Sequence, residues 1–443
     1  KFKNLESLNV SQNGIENIQE AISHLGNIKE LNLFNNKLKN IPKEINTLSH
    51  LEYLDLSKNE FDEYPKELIN LVNLKEQNLS SNNLKIIPEI IGNMKNLKKL
   101  DLSMTKLVNI PGEIGHLKNL EYLNLSVNEL ESLPVEIGQL ENLNFLYLSI
   151  NNITVFPKEI LCLKNLKGLD LGQNTIKSIP QEINHLNNLE KLELYCNRIT
   201  SLPEEICCLP NLKHLNLNVN YLEGLPKEIK KLNNLKELYL GENNFQIFPS
   251  EIFDLKNLEH LDLSRNKLNN IPDGIGQLDH LKSLIMYNNK IENISNTIGH
   301  LKLLKKLDFE INQLENLPKE IEFLINLKVL KLYENHLKSL PKEIGYLKEL
   351  KDLNLGQNKL ENLPKEIGNL ENLNKINLVS NQLEELPMEI GNLKYLKILN
   401  VSENKLKSLP VTIGHLIYLE FLDISENQIE EIPNEIGNLK NLT

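Results

Sequence analysis

The chain has 443 residues, with 60 acidic against 49 basic side chains and a net charge of −11. That balance lacks the basic stripe nucleic-acid binding needs, so no nucleic-acid partner is expected. No apolar run approaches the ~20 residues of a membrane span.

A pattern LxxLxLxxNxLxxLPxEIGxLxx runs from end to end, and residues 120–143, LEYLNLSVNELESLPVEIGQLENL, form one full copy. Steps of 23 from Asn13 reach Asn36, Asn59, Asn82, Thr105, Asn128 and so on to Asn427, giving 19 repeats with no insertion and one substitution, Thr105. A fixed period of this size predicts a solenoid. Residues 1–443 are read as one elongated domain with no linker and no separate caps. The chain opens on Lys1 in mid-unit, with Phe2 at position 21 of a missing turn, and stops just after Leu442 opens another. Self-association through uncapped ends is therefore an expected option.

Within one unit, count Leu120 as position 1. Leu123 and Leu125 alternate with polar residues, the period of a short strand with one buried face. Tyr122, Asn124 and Ser126 then face solvent. Asn128 ends the strand, and its amide can satisfy the backbone of a turning chain. Stacked amides predict a ladder, with a weak rung at Thr105. Leu130, Leu133, Ile137 and Leu140 are apolar on the return leg. Pro134 and Glu136 suit a helix start, Pro at the first position and Glu at the third. A short helix is expected there. Gly138 is shared by only ten repeats, so positive φ is not demanded at its column.

These residues identify the chain as similar to the leucine-rich repeat family, over essentially its whole length. The LPxEIG variant resembles Ras-pathway leucine-rich scaffolds and their plant relatives, and still more the multi-repeat secreted or surface proteins of pathogenic spirochaetes. The resemblance implies an α/β solenoid, a horseshoe or right-handed superhelix. It implies a concave parallel β-sheet and short helices or 3-10 turns on the convex side. It also implies protein–protein recognition on the concave face, no enzyme activity and no cofactor.

Repeats 1 to 6 are plain on the sheet face: Asn9, Asn32, Asp55, Asn78, Asp101 and Asn124 hold position 5. Gln77 breaks the core column of leucines, either as a tolerated defect or as a bend or partner site. From repeat 7 to repeat 15 the face changes. Position 5 becomes Tyr147, Glu193, Tyr239, Ile285 and Lys331 in the odd repeats, while the even ones keep Asp170, Asn216, Asp262 and Asp308. Exposed aromatics on a rigid sheet are the anchors of a binding surface. The candidate patch is Phe145, Tyr147, Glu193, Tyr195, His214, Glu237, Tyr239, His260, Tyr287, Glu310, Lys331 and Tyr333. Repeat 13 has Ser295 for Pro and Thr297 for Glu, and looser helical structure is expected there. Repeats 16 to 19 return to the plain pattern.

His260, Asp262 and Ser264 lie along one strand, but with Asp in the middle and His and Ser about 7 Å apart they lack triad geometry. Cys162, His185 and Cys208 share one column and are zinc-type residues, yet one-repeat spacing of about 5 Å exceeds tetrahedral ligand separations, so no metal is expected. The cysteines are expected as four thiols, because Cys162 and Cys208 lie two repeats apart.

Four Asn-x-Ser/Thr sequons, at Asn9, Asn78, Asn124 and Asn400, fall in mid-face, where glycans would block binding. This argues against a eukaryotic secretory protein. Only Arg198 and Arg265 are arginines among the 49 basic residues, a coding bias of an AT-rich genome. The expectation is a secreted or surface protein of a bacterium that engages a protein partner of a host. The readings left open are a cytoplasmic scaffold for a small GTPase or phosphatase, a carbohydrate-binding solenoid, and a fragment of an effector enzyme.

Overall fold

The computed structural model describes residues 4–443, so Lys1 and Phe2 lie outside the described residues. The chain divides into two compact units, Lys1–Asn220 and Tyr221–Thr443. The first carries ten three-residue strands, β1 (Ser7–Asn9) to β10 (His214–Asn216); the second carries nine, β11 (Glu237–Tyr239) to β19 (Phe421–Asp423).

Within each unit the strands are parallel and follow chain order, each residue paired with the one 23 positions on, as in Leu123↔Leu146 and Leu284↔Leu307. Equal repeat length fixes this register. A slip by one residue would turn the leucines out to solvent. Leu120, Leu123, Leu125, Leu130, Ile137 and Leu140 are fully buried and Leu133 is 7% exposed. All seven predicted apolar columns therefore form the core.

The return leg is a 3-10 helix of five residues in each repeat, such as Val135–Gln139. The proline stands one place earlier than expected. Pro134 is the cap, extended at ψ 147, and its carbonyl accepts the first bond from Ile137 N at 3.0 Å. Glu136 is thus the second helical residue. The turn Asn296–His300 in repeat 13 is not looser, contrary to expectation. Ser295 replaces the proline as a hydrogen-bonding cap, its Oγ accepting Thr297 N at 3.1 Å. A hydroxyl supplies by bonding what the proline ring supplies by fixed φ.

The asparagine ladder is present. Asn128 Nδ2 donates to Leu125 O and to Leu102 O of the preceding repeat, both at 3.0 Å, and its Oδ1 accepts Leu107 N at 3.0 Å. The residue before each asparagine adopts positive φ, for example Val127 at 58° and Ile150 at 57°, and none of these is glycine. The rest of the repeat must hold that conformation, since β-branched residues disfavour it. It turns Val127 N onto Ser149 O of the next repeat at 2.8 Å. Thr105 keeps the bond to Leu102 O and gives its hydroxyl to Asn128 Oδ1, but makes no side-chain bond back to the preceding repeat. That is the expected weak rung.

A second ladder has no counterpart in the sequence reading. Asn119, Asn142 and Asn165 donate to carbonyls 24 residues earlier at 2.8 to 2.9 Å. In the second unit Asn257, Asn326 and Asn372 do the same. Repeats that carry this second asparagine are thus pinned by side-chain amides at both ends of the strand, while Leu303, Glu349, Tyr395 and Tyr418 hold the column elsewhere.

Gln77 is buried at 2% exposure and pairs with Tyr64, whose hydroxyl donates to Gln77 Oε1 at 3.0 Å. It is a satisfied defect. The other aromatics in the Tyr64 column are Phe156 and Phe248, so the hydroxyl appears where the amide needs it. No glycine has positive φ. The Gly138 column instead answers to close approach, since a Cβ on Gly115 would lie 2.5 Å from Glu136 O. The prolines that follow the aromatics Tyr64, Phe156 and Phe248 sit at ψ 102, 105 and 94, whereas Asn184, Cys207, Lys230 and Glu322 fill the glycine column with the proline at ψ 142 to 153.

Candidate functional site

The strand face is built on one small bond. The position-5 Asn or Asp turns its Oδ1 onto the N–H two residues on, closing the strand as Asn124 does for Ser126 at 3.1 Å. This is an Asx turn. Fourteen repeats make it, at 2.8 to 3.4 Å. The five that cannot are those with Tyr147, Glu193, Tyr239, Ile285 and Lys331. Those are the odd repeats of the candidate patch. Asp262 closes its own strand onto Ser264 N at 2.8 Å, which accounts for the tempting His260–Asp262–Ser264 series.

In the first unit the variable side chains converge on β8 (Gly168–Asp170). It lies between β7 (Phe145–Tyr147) and β9 (Lys191–Glu193) and pairs Tyr147↔Asp170↔Glu193. Gly168 and Gly172 flank Asp170 on the same face. A Cβ on Gly168 would lie 2.7 Å from the Phe145 ring, and one on Gly172 2.2 Å from the Tyr195 ring. The glycines therefore leave room for two rings to lie over β8. The Tyr122 and Tyr147 rings meet at 5.3 Å, tilted by 45°.

Asp170 Oδ1 accepts Gly172 N at 2.9 Å. Burial pushes its carboxyl above the ordinary value, against the hydrogen bonds from Gly172 and Ser149. Glu193, 9% exposed, holds Lys191 Nζ at 3.0 Å and His214 Nε2 at 2.9 Å, both on Oε1. Burial raises its pKa, but bonds from His214 and then Lys191 outweigh this and hold it low. Glu193 Oε2 is buried without a hydrogen-bond partner among the described residues.

In the second unit, Tyr239 donates its hydroxyl to Glu237 Oε2 at 3.3 Å. Arg265 stacks on Tyr287 at 5.5 Å and donates Nε to its hydroxyl at 2.9 Å. Lys331 pairs with Asp352 at 2.8 Å, and Glu310 accepts Asn354 Nδ2. Burial, then the neighbouring Asp308, pushes the Glu310 carboxyl up. His260 is half-buried on the same face.

The structure thus groups the predicted residues into local clusters within each unit. Phe145, Tyr147, Glu193, Tyr195 and His214 fall in the first; the other seven lie in the second. Sequence reasoning missed Asp170, Lys191 and Tyr122 in the first cluster, and Arg265, Asp352 and Asn354 in the second. The signal for Asp170 was present in the paired glycines of GLDLG.

Among the described residues no three His, Cys, Asp or Glu side chains gather in a metal-binding arrangement, Cys162, His185 and Cys208 included. No disulfide joins the four cysteines among the described residues. Among the described residues no helix is long and apolar enough to cross a membrane.

The family profile described as "Leucine-rich repeat region" matches residues 89–170, 152–241, 204–319 and 365–443. Two shorter profiles, "Leucine rich repeat" and "Leucine Rich Repeat", match residues 325–383 and 50–71. No curated protein sequence matches the chain. A solved leucine-rich repeat protein of Leptospira interrogans is 43% identical, covering 88% of this chain and 100% of its own, with a TM-score of 0.83. A plant peptide hormone receptor, RGFR1 in complex with RGF2, is 32% identical, covering 99% of this chain and 77% of its own, with a TM-score of 0.76. YopM of Yersinia enterocolitica shares the fold at 24% identity and a TM-score of 0.71, covering 99% of this chain and 90% of its own.

Proposed function

The chain belongs to the leucine-rich repeat family, and from that premise we propose that it is a non-enzymatic recognition protein that binds a protein partner through the strand faces of its units. One observation carries this reading. The five repeats that lack the strand-closing Asx bond place tyrosine, glutamate, isoleucine or lysine there instead. A bond worth about 0.5–1.5 kcal/mol is absent only where a larger or charged side chain faces solvent. The same commitment of Oδ1 weighs against a sugar-binding reading of the Asn and Asp rows, because those oxygens already serve the backbone.

The setting we propose is the outside of a bacterium, secreted or at the cell surface, acting on a host. The Leptospira relative supports a bacterial source, and the mid-face sequons disfavour eukaryotic secretion. Protease treatment of intact cells of the source organism should remove the protein; protection there would place it inside, with the scaffold reading.

The recognition reading is tested with a partner captured from host lysate and identified by mass spectrometry. Tyr147→Ala with Tyr195→Ala alters the first unit; Tyr239→Ala with Tyr287→Ala and Tyr333→Ala alters the second. At least one of the two variants should keep native circular dichroism and lose the partner. Unchanged binding by both would overturn the reading.

A further inference from the structure

The β8 region of the first unit combines three features. Asp170 is half-buried and forms no ion pair among the described residues, its hydrogen bonds coming from the Gly172 N–H and the neutral Ser149. Aromatic rings frame it: Phe145 over Gly168, Tyr195 over Gly172, and Tyr147 beside it on β7, itself against Tyr122. Beside it on β9 stands the buried Glu193, which already holds Lys191 and His214 on Oε1. Asp170 is therefore the carboxylate of this slot left without a cation.

We propose that this slot takes the cationic end of a lysine or arginine side chain from the protein partner, with Asp170 as counter-ion and the tyrosine rings as its walls. The inference rests on the recognition reading above and names its chemistry. A guanidinium or ammonium satisfies both requirements of the site. It donates hydrogen bonds to the Asp170 carboxylate and lies against ring faces, which attract a cation. The molecule's own Lys191 already behaves this way: burial works against its charge, yet the bond and field of Glu193, with smaller contributions from Tyr147 and Asp170, raise its pKa. Lys191 occupies Oε1 of Glu193 and leaves Asp170 without a cation. Anionic and purely apolar groups leave the Asp170 carboxylate unmatched.

Asp170→Asn is a clean probe. Asparagine offers the same Oδ1 to the Gly172 N–H, as Asn124 does to Ser126, so the strand stays closed and only the charge is lost. Asp101→Asn is the control, since Asp101 closes its strand onto Ser103 in the same way and its Oδ2 already accepts Asn124 Nδ2 at 3.2 Å.

A random-peptide display library is selected on the full chain, and the enriched peptides are measured against each variant. The expected result is enrichment of lysine or arginine, weakening of about tenfold in Asp170→Asn, and no change in Asp101→Asn. Peptides that need Tyr147 and Tyr195 but show no cationic preference, or ignore Asp170→Asn, overturn the slot while leaving the recognition face standing. Peptides indifferent to every strand-face substitution, or no enriched peptides at all, overturn both.

Discussion

Within the first unit, β1 to β6 and β7 to β9 share one core and differ on one face. Apart from the half-buried leucines of the first repeat, Leu5 and Leu8 among them, the Gln77 defect and the Thr105 rung, both stretches bury their leucines, run asparagine rungs at the strand ends and keep the register of 23. On the solvent face, β1 to β6 each close with an Asx bond, whereas β7 and β9 do not. The second unit repeats the contrast between β11, β13 (Ser283–Ile285) and β15 (Val329–Lys331) on one side and β16 (Asp352–Asn354) to β19 on the other. What stacking demands is kept everywhere. What stacking merely benefits from is dropped where another use competes.

The first way to break this comparison is through the core, where the two stretches should not differ. Leu192→Ala on β9 and Leu100→Ala on β5, both fully buried, should each cost about 2–5 kcal/mol in urea unfolding. A far larger loss at one would mean that the stretches differ inside as well. Next come the rungs. Asn128→Ala leaves Leu107 N without its acceptor and takes one donor each from Leu102 O and Leu125 O, which Thr105 and Asn151 still reach, and should cost about 1–3 kcal/mol. Thr105→Asn should restore the missing rung and gain about 0.5–1.5 kcal/mol. A Thr105→Asn protein no more stable than the parent would show that the rung carries no stability.

Smaller still is the strand-closing bond. Asn78→Ala removes the acceptor of Ser80 N and should cost about 0.5–1.5 kcal/mol. No loss on unfolding would strip the missing bonds of their meaning. The mildest test is pH. Asp170 takes up its proton above the ordinary 3.8, because of burial and despite Lys191 nearby. A raised acid pKa favours the folded state below 3.8 and loses that contribution as pH rises through the shifted value. Binding has the opposite sense: a cationic peptide should weaken on acidification at a pH above 3.8, and Asp170→Asn should remove that step. Glu193, which burial raises but His214 and Lys191 hold low, is the same residue in both proteins and contributes alike to the two profiles. Identical binding profiles for the two proteins would contradict the assignment of Asp170.

Most of the fold was legible because a period read 19 times leaves little freedom: strand, buried columns and Asn ladder all follow from spacing. The cap role of Pro134 was off by one residue, since one sequence does not separate a cap from a first helical residue when both suit proline. Ser295 was read as a defect because its compensation is a single hydrogen bond. The positive φ at Val127 was invisible, as neither glycine nor asparagine marks it there. On the face, the odd-repeat side chains were legible as departures from pattern. Asp170 was not, because it keeps the pattern, and its distinction lies in the glycines beside it and the rings they admit.

Strands β7, β9, β11, β13 and β15 lack a strand-closing bond that the others have. Amide hydrogen exchange at the residue two beyond position 5 tests it most directly. The N–H groups of Ser149, Tyr195, Tyr287 and Tyr333 are expected to exchange faster than those of Ser103, Ser126, Ser264 and Ser402, which Asp101, Asn124, Asp262 and Asn400 hold at 2.8 to 3.1 Å. Equal protection across the two sets would contradict it.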